Sequence, residues 1–168
     1  AGFIGANFVR HWRKVSPNDG IVVLDALTYA GNPANLAGLD GRSGYRFVHA
    51  DVCDASTLSM VMPGHDAVVH FAAESHVDRS LVDPDRFVTT NCGGTATVCR
   101  VAMEVGVGRV LHVSTDEVYG SIGEGSFVEG DPLAPSSPYS ASKASSDLIA
   151  LSYHETFGLP VVVTRSSN

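Results

Sequence analysis

The sequence lacks any apolar run approaching the ~20 residues that a membrane-spanning helix requires. Positive charge is also scarce, because 11 Lys and Arg stand against 18 Asp and Glu, which gives a formal net charge of −7. That balance disfavours a nucleic-acid backbone or an anionic membrane as a partner. A small anionic ligand remains compatible with it, since backbone amides at a helix N-terminus supply local positive potential.

Cysteine is sparse as well, and its spacing carries no metal motif. Cys53, Cys92 and Cys99 form no CxxC pair, and no two of the seven histidines have the helical spacing of a zinc site. We therefore predict no metal site, three reduced thiols and a cytoplasmic protein.

Short β-branched runs alternate with longer helical stretches along the chain. This alternation predicts βαβ units with right-handed crossovers, and hence an α/β fold with a doubly wound parallel sheet of the NAD(P)-binding Rossmann type. Residues 120–138, rich in Gly, Ser, Pro and acids, form the one long loop. The predicted strands are 21–25, 45–50, 66–71, 109–114 and 161–163, and the predicted helices are 5–14, 54–62, 84–105 and 138–157.

The first five residues resemble the second half of a glycine-rich phosphate loop, with Gly2 and Gly5 as its last two glycines. Such a loop follows a strand, which would lie at the centre of the sheet order 3-2-1-4-5-6. We expect residues 1–168 to be one partial dinucleotide-binding domain, without the first strand and without a C-terminal substrate domain. Two half-sheets with unpaired edges should not fold stably. A cooperative, reversible thermal transition of these residues alone would contradict that expectation.

Acidic and small residues follow the predicted strands, where open α/β sheets bind ligands. Asp25 ends the first predicted strand and is placed to accept hydrogen bonds from a ribose diol. A carboxylate there would repel a 2′-phosphate, which favours NAD over NADP. Asp51 and Val52 are placed to meet the adenine, and Ala72 and Ala73 leave room for close approach of the cofactor.

Tyr139 and Lys143 form a YxxxK pair in the predicted helix 138–157. The i, i+4 spacing puts both side chains on one face. A tyrosine with its ordinary pKa near ~10 is a poor base at neutral pH. We expect a neighbouring ammonium to lower that pKa.

Thr115, Asp116 and Glu117 follow the strand 109–114 within the segment VSTDEVYG. With this run the sequence resembles the extended short-chain dehydrogenase/reductases, and within them the dTDP-glucose 4,6-dehydratases. The resemblance covers essentially the whole chain, and the other stretches that carry it are LTYAG from Leu27, HFAAESHVDRS from His70, Thr90-Asn91 and YSASKASSD from Tyr139.

The resemblance implies a reaction in which a sugar is oxidised at C4, loses water across C5 and C6, and is reduced at C6 with bound NAD. Tyr139 would accept the proton of the C4 hydroxyl, Thr115 would bind that hydroxyl, and Lys143 would bind the ribose. Glu117 would act as general base at C5, and Asp116 as general acid at the C6 oxygen. Two adjacent carboxylates with separated pKa values suit these two tasks.

The resemblance also implies a set of contacts for each ligand. The substrate would contact Ser75, Thr115 and Asn168. NAD would contact Gly2, Phe3, Ile4, Gly5, Asp25, Thr28, Asp51, Val52, Ala72, Ala73, Ser75, Thr90, Tyr139 and Lys143.

Two departures from the family pattern are visible, namely Ser166, where a cysteine is usual, and a short loop after Gly120. The charged residues 74–79 either line the mouth of the site or form an internal ion pair. A dehydratase for another nucleotide sugar, such as UDP-glucose, and a non-catalytic NAD-binding regulator are the competing functions. The resemblance also suggests a homodimer built on the helices that begin at Pro84 and Pro138.

Overall fold

The computed structural model describes residues 1–167, so the predicted substrate contact Asn168 lies outside the described residues. Within residues 1–167 there are five β-strands and six α-helices. The strands are β1 (Ile21–Asp25), β2 (Tyr45–His49), β3 (Val68–His70), β4 (Val110–Thr115) and β5 (Val161–Ser166). The helices are α1 (Phe3–Val15), α2 (Ala55–Val61), α3 (Val77–Val82), α4 (Pro84–Phe87), α5 (Thr95–Glu104) and α6 (Pro138–Phe157).

All strand pairs in the described part of the chain are parallel. They form a two-stranded sheet, β1-β2, and a three-stranded sheet, β3-β4-β5. Parallel strands joined by helices confirm the predicted α/β fold. The carboxyl ends of the strands within each sheet meet at one edge, which is where the predicted site residues lie.

Each sheet has its own apolar core. Helix α1 covers β1 and β2 through a small cluster that includes Ala6 and Val9. A larger cluster, which includes Val101, Val110 and Ala150, joins helices α5 and α6 to the three-stranded sheet. The two halves also touch through Phe8 of α1 and Phe71 after β3, whose ring centroids are 5.3 Å apart.

Helix α6 begins and ends as predicted, because strong local signals mark both ends. The side chain of Ser137 accepts from the Ser140 amide, and the Ser140 hydroxyl accepts from the Ser137 amide, which makes a capping box. Pro138 occupies the first helical position. Gly158 ends the helix in the left-handed region with φ +73°.

The predicted continuous helix over 84–105 is wrong in one respect, because a π-helical turn (Val88–Gly94) separates α4 from α5. Gly93 and Gly94 weaken the α-helix locally. A Cβ at Gly94 would lie 2.8 Å from the Val52 side chain, so the turn is in close contact with the chain after β2. The charged residues 74–79 also differ from a plain loop, since α3 begins at Val77.

Gly120 ends the 3-10 turn that carries the acid pair, Asp116–Tyr119, at a φ of +86°. A Cβ there would also collide with the backbone carbonyl of Ala134. We expect Gly120→Ala to lower the unfolding free energy of the complete protein by about 1–3 kcal/mol, measured by denaturant unfolding. Gly123→Ala is the matched control, because a Cβ at Gly123 meets nothing within 4 Å. Equal stability of the two variants would contradict the prediction.

Candidate active site

Asp25 is the last residue of β1, and its carboxylate faces the first residues of the chain. One carboxylate oxygen accepts from the Leu27 amide at 2.8 Å, and the other lies 2.6 Å from the backbone nitrogen of Ala1. A Cβ at Gly31 would lie 2.7 Å from the same carboxylate, so glycine is needed at that position. Asp25, the residue predicted to bind the ribose, therefore lies directly beside the glycine turn at residues 1–5.

Helix α1 begins at that turn with its N-terminal amides free of side-chain caps. Its N-cap residue is Gly2, which has no side chain that could cap these amides, and the first turn contains no acidic residue. Phe3 and Ile4 are 80% and 61% exposed. Uncapped amides at a helix N-terminus bind phosphate, and the Asp25 carboxylate alongside suits a ribose. The residues present therefore fit a dinucleotide.

The remaining predicted cofactor residues lie around the same edge. Val52 is buried, whereas Asp51 and Thr28 are exposed. The Asp51 carboxylate accepts from the Cys53 amide at 2.8 Å, within its own turn. Ala72, Ala73, Ser75 and Thr90 are half-buried after β3 and in the π-helical turn.

Tyr29 and Ser75 connect the two halves of the site. The Tyr29 hydroxyl donates to the Ser75 carbonyl at 2.8 Å and accepts from the Ser75 amide at 3.0 Å. The Arg79 guanidinium lies 3.8 Å from the centre of the Tyr29 ring. The loop after β1 is thereby held against the loop after β3. Ser75 was a predicted contact of both ligands, whereas Tyr29 appeared in the sequence only as part of a motif.

Asn91, in the π-helical turn, links the loop after β3 to helix α6. Its side-chain oxygen accepts from the Glu74 amide at 2.8 Å, and its side-chain nitrogen donates to the Glu74 carbonyl at 3.0 Å and to the Ser142 hydroxyl at 2.8 Å. The Ser142 hydroxyl donates in turn to the Tyr139 carbonyl at 2.7 Å. A fully buried amide thus orders the backbone beside the YxxxK pair.

Thr115, the last residue of β4, caps the turn that carries the acid pair. Its hydroxyl accepts from the Glu117 amide and donates to the Asp116 carboxylate, both at 3.3 Å. Thr115 is buried, and both acids are half-buried. The strand end therefore presents a hydroxyl and two carboxylates side by side.

Tyr139 lies in the first turn of α6, with its ring edge-on to Phe87 at 6.2 Å. Burial and the charge of Glu117 raise its pKa above the ordinary value, while the Thr115 hydroxyl lowers it in part. The expected lowering by Lys143 is not found. The lysine is directed elsewhere, since its ammonium donates to the Val113 carbonyl at 2.8 Å.

Lys143 is almost fully buried, with only 4% of its surface exposed. Burial lowers its pKa to about 8, and the carboxylate of Asp147 opposes this shift. The group is therefore still mostly protonated at neutral pH. Asp147 was missed in the sequence, although it follows Lys143 at i+4 on the same helix face.

Of the charged residues Glu74, His76, Asp78 and Arg79, Glu74 is buried and forms an ion pair with Arg86 of α4 at 2.8 Å. That this segment lines the mouth of the site stays a prediction. His76 adopts a positive φ of 76° and precedes α3.

Residues 1–167 contain neither of two other kinds of site. No helix there is long and apolar enough to cross a membrane. No group of three or more His, Cys, Asp and Glu side chains is arranged to hold a metal ion.

These features define a dinucleotide-binding domain of the short-chain dehydrogenase/reductase type. They are the parallel α/β fold, the uncapped helix α1 beside the Asp25 carboxylate, and Thr115 facing the helix of the YxxxK pair. The model of one family, described as GDP-mannose 4,6 dehydratase, matches residues 1–168. The chain belongs to this family of sugar-nucleotide dehydratases, which confirms the resemblance found in the sequence.

Individual relatives are similar over the same range. A dTDP-glucose 4,6-dehydratase of Streptomyces griseus is 56% identical over 170 residues, covering 100% of this chain and 52% of the relative. The crystal structure of a dTDP-glucose 4,6-dehydratase of Streptomyces venezuelae with NAD and TYD bound matches with a TM-score of 0.95 and 56% identity, covering 98% of this chain and 52% of that one. The crystal structure of a dTDP-glucose 4,6-dehydratase of Bacillus anthracis in complex with NAD matches with a TM-score of 0.90 and 43% identity. The match covers 100% of this chain and 52% of that one. The chain thus spans about half the length of these relatives.

Proposed function

We propose that the complete protein is a dTDP-glucose 4,6-dehydratase, which converts dTDP-glucose to its 4-keto-6-deoxy product. The observation that carries the proposal is the turn at the end of β4, where Asp116 and Glu117 stand beside Thr115 and act electrostatically on Tyr139. A dehydrogenase or epimerase needs no such acid pair, whereas an elimination needs both a base and an acid. The dTDP-glucose 4,6-dehydratases among the relatives support the nucleotide assignment.

We propose NAD as the cofactor, with α1 at its pyrophosphate and Asp25 at a ribose. When bound, NAD would supply a reversible two-electron oxidation, taking a hydride from C4 and returning it to C6 after the elimination, when a proton also returns to C5. Tyr139 takes the proton of the substrate's C4 hydroxyl, and Thr115 orients that hydroxyl. Lys143, one turn further along the same helix and charged below a pH of about 8, binds the ribose of the cofactor, while Tyr139 has to be in its phenolate form to accept the proton.

Elimination then falls to the acid pair. The ketone at C4 acidifies the C5 hydrogen, which Glu117 removes as a proton. A double bond forms between C5 and C6 as the C–O bond at C6 breaks, and Asp116 donates the proton with which that oxygen leaves as water. Both carboxyls lie on one short turn, so each reaches a neighbouring carbon of the same sugar.

The direct test uses the complete protein, extended at both ends to the length of its relatives. It is incubated with dTDP-glucose and, separately, with UDP-, GDP- and CDP-glucose and with GDP-mannose, and the 4-keto product is measured. Turnover of dTDP-glucose alone is the expected result. Turnover of only another sugar nucleotide would overturn the dTDP assignment and keep the chemistry. No turnover of any, with NAD still bound, would favour a non-catalytic NAD-binding protein.

We propose that the complete protein is a homodimer that packs through α3, α6 and the π-helical turn. Helices α3 and α6 pack against each other. Leu81, Val82, Val88 and Leu148 on these elements are 66%, 86%, 57% and 59% exposed. Apolar side chains of this size on adjacent elements favour burial against a partner.

Leu148→Glu should therefore convert the dimer to a monomer, measured as a halved mass by light scattering. Met60→Glu is the matched control, because Met60 is 74% exposed on α2, away from that surface. A monomeric parent protein, or a Leu148→Glu variant that stays dimeric, would contradict the prediction.

We further propose that the protein works in the cytoplasm, without nucleic acid or membrane as a partner. Cys53, Cys92 and Cys99 are all free thiols, which suits a reducing compartment. The net charge of −7 opposes association with polyanions.

A further inference from the structure

We propose that Arg165, at the end of β5, is a positioning residue that locks the turn carrying the acid pair onto the catalytic helix. This inference rests on the proposed function. The acid pair and the YxxxK pair lie on different segments of the chain, yet both must address one sugar ring. Arg165 is the side chain that ties those segments together.

The guanidinium of Arg165 makes hydrogen bonds to three separate elements. Its Nε donates to the Asp147 carboxylate of α6 at 2.8 Å. One terminal nitrogen donates to the Tyr119 hydroxyl at 2.6 Å, and also to the Glu129 carbonyl of the long loop at 3.4 Å. The planar fork of arginine permits this simultaneous bonding, which a lysine cannot reproduce.

Tyr119 is the attachment point on the acid-pair turn. It is the last residue of the turn Asp116–Tyr119 and follows Glu117 by two positions. Only 6% of Tyr119 is exposed, and its ring stacks on Phe127 at 5.1 Å while the Arg165 guanidinium lies 5.0 Å from the ring centre. Movement of Tyr119 would therefore move the Glu117 carboxylate.

Asp147 is the attachment point on the catalytic helix. It is completely buried and follows Tyr139 and Lys143 at spacings of eight and four residues. Burial alone would raise its pKa, but the polar groups around it, with His112 Nε2 at 3.4 Å and the Arg165 guanidinium at 2.8 Å, hold the pKa of this carboxyl below its ordinary value. Asp147 is therefore ionised at neutral pH, and the ion pair with Arg165 stabilises that charge in the interior.

The consequence concerns one step of the reaction more than the other. Oxidation at C4 depends on Thr115 of β4 and Tyr139 of α6, and Arg165 makes a hydrogen bond to neither of them. Elimination depends on how far Glu117 and Asp116 lie from a sugar already held at Tyr139. Because a displacement of about 1 Å can cost a catalytic group about 10²-fold in rate, loosening the tie should slow elimination selectively.

The test compares Arg165→Lys and Tyr119→Phe in the complete enzyme. In single turnovers with dTDP-glucose we expect C4 oxidation to keep its rate, measured by the absorbance of reduced nicotinamide. Incorporation of solvent deuterium at C5, which reports proton removal by Glu117, should slow at least tenfold in both variants. The double variant should be no slower than the worse single one, because both changes break the same tie.

A second measurement does not depend on turnover. Amide hydrogen exchange over residues 116–131 should quicken in both variants, while exchange in β3 stays unchanged. Arg100→Lys is the matched control, because Arg100 pairs only with Glu104 on the surface of α5 and should alter neither measurement. Tyr119→Phe keeps the Arg165–Asp147 ion pair, so it remains informative if Arg165→Lys does not fold.

Equal slowing of oxidation and elimination, or unchanged exchange over residues 116–131, would overturn the positioning role. Failure of the parent enzyme to form 4-keto product would be a failure of the proposed function instead. In that case hydrogen exchange still decides whether Arg165 holds the turn.

Discussion

Glu117→Gln in the complete protein should lower the turnover of dTDP-glucose by about 10²–10⁴-fold, the usual contribution of a general base. Glutamine has nearly the same shape, so the hydrogen bond from its backbone amide to Thr115 should persist. What disappears is the ability to take a proton from C5. Oxidation at C4 should survive, so that the 4-keto-glucose nucleotide accumulates and can be trapped by reduction.

This variant separates the two half-reactions. The matched control is Glu124→Gln, an exposed acid in the long loop, which should turn over like the parent enzyme. If Glu117→Gln lost C4 oxidation as well, the residue would be acting on the nucleotide or the fold instead of on C5. If it kept full turnover, another group would have to be the base.

Tyr139→Phe is expected to reduce turnover by a similar factor, about 10²–10⁴-fold, but at an earlier step. The phenylalanine ring can keep the edge-on contact with Phe87, so the loss falls on the hydroxyl alone. Without it, nothing at this position takes the proton of the C4 hydroxyl. Mixing enzyme, NAD and dTDP-glucose should then give neither reduced nicotinamide nor exchange at C5.

The control for this change lies on the same helix. The Tyr153 ring packs at a tilt of 48° against Phe157 near the end of α6, and Tyr153→Phe should leave turnover unchanged. A Tyr139→Phe enzyme that still oxidised C4 at the parental rate would remove Tyr139 from the mechanism. An equally inactive Tyr153→Phe variant would show that the helix, and not the hydroxyl, had been damaged.

The sequence predicted best those features that short-range chemistry decides. The bounds of α6 follow from Ser137, Pro138 and Gly158, whose backbone preferences act locally. The strand end at Asp25 was predicted from the β-branched run that stops there, whereas the end of β4 at Thr115 lies one residue beyond the predicted end at Ser114. Since parallel strands end at a common edge, topology predicts that Asp25 and Thr115 lie at that edge, whereas the full contact set came from the family resemblance and stays a prediction.

Features that depend on tertiary contact were not predictable in this way. The π-helical turn arises where the chain meets Val52 and where Asn91 bonds two other segments, and neither partner is nearby in sequence. The raised pKa of Tyr139 reflects burial and the proximity of Glu117. Helical spacing indicated only that Lys143 shares a face with Tyr139, whereas the direction of its ammonium depends on the Val113 carbonyl.

The buried carboxylate of Asp147 acts on two cations with different tasks, Arg165 for the acid pair and Lys143 for the ribose. A substitution of Asp147 itself would therefore disturb both half-reactions at once. Exchange of aspartate for a neutral residue would leave two cations facing each other in the interior. We therefore expect Lys143, Asp147 and Arg165 to be conserved or replaced together as related sequences diverge.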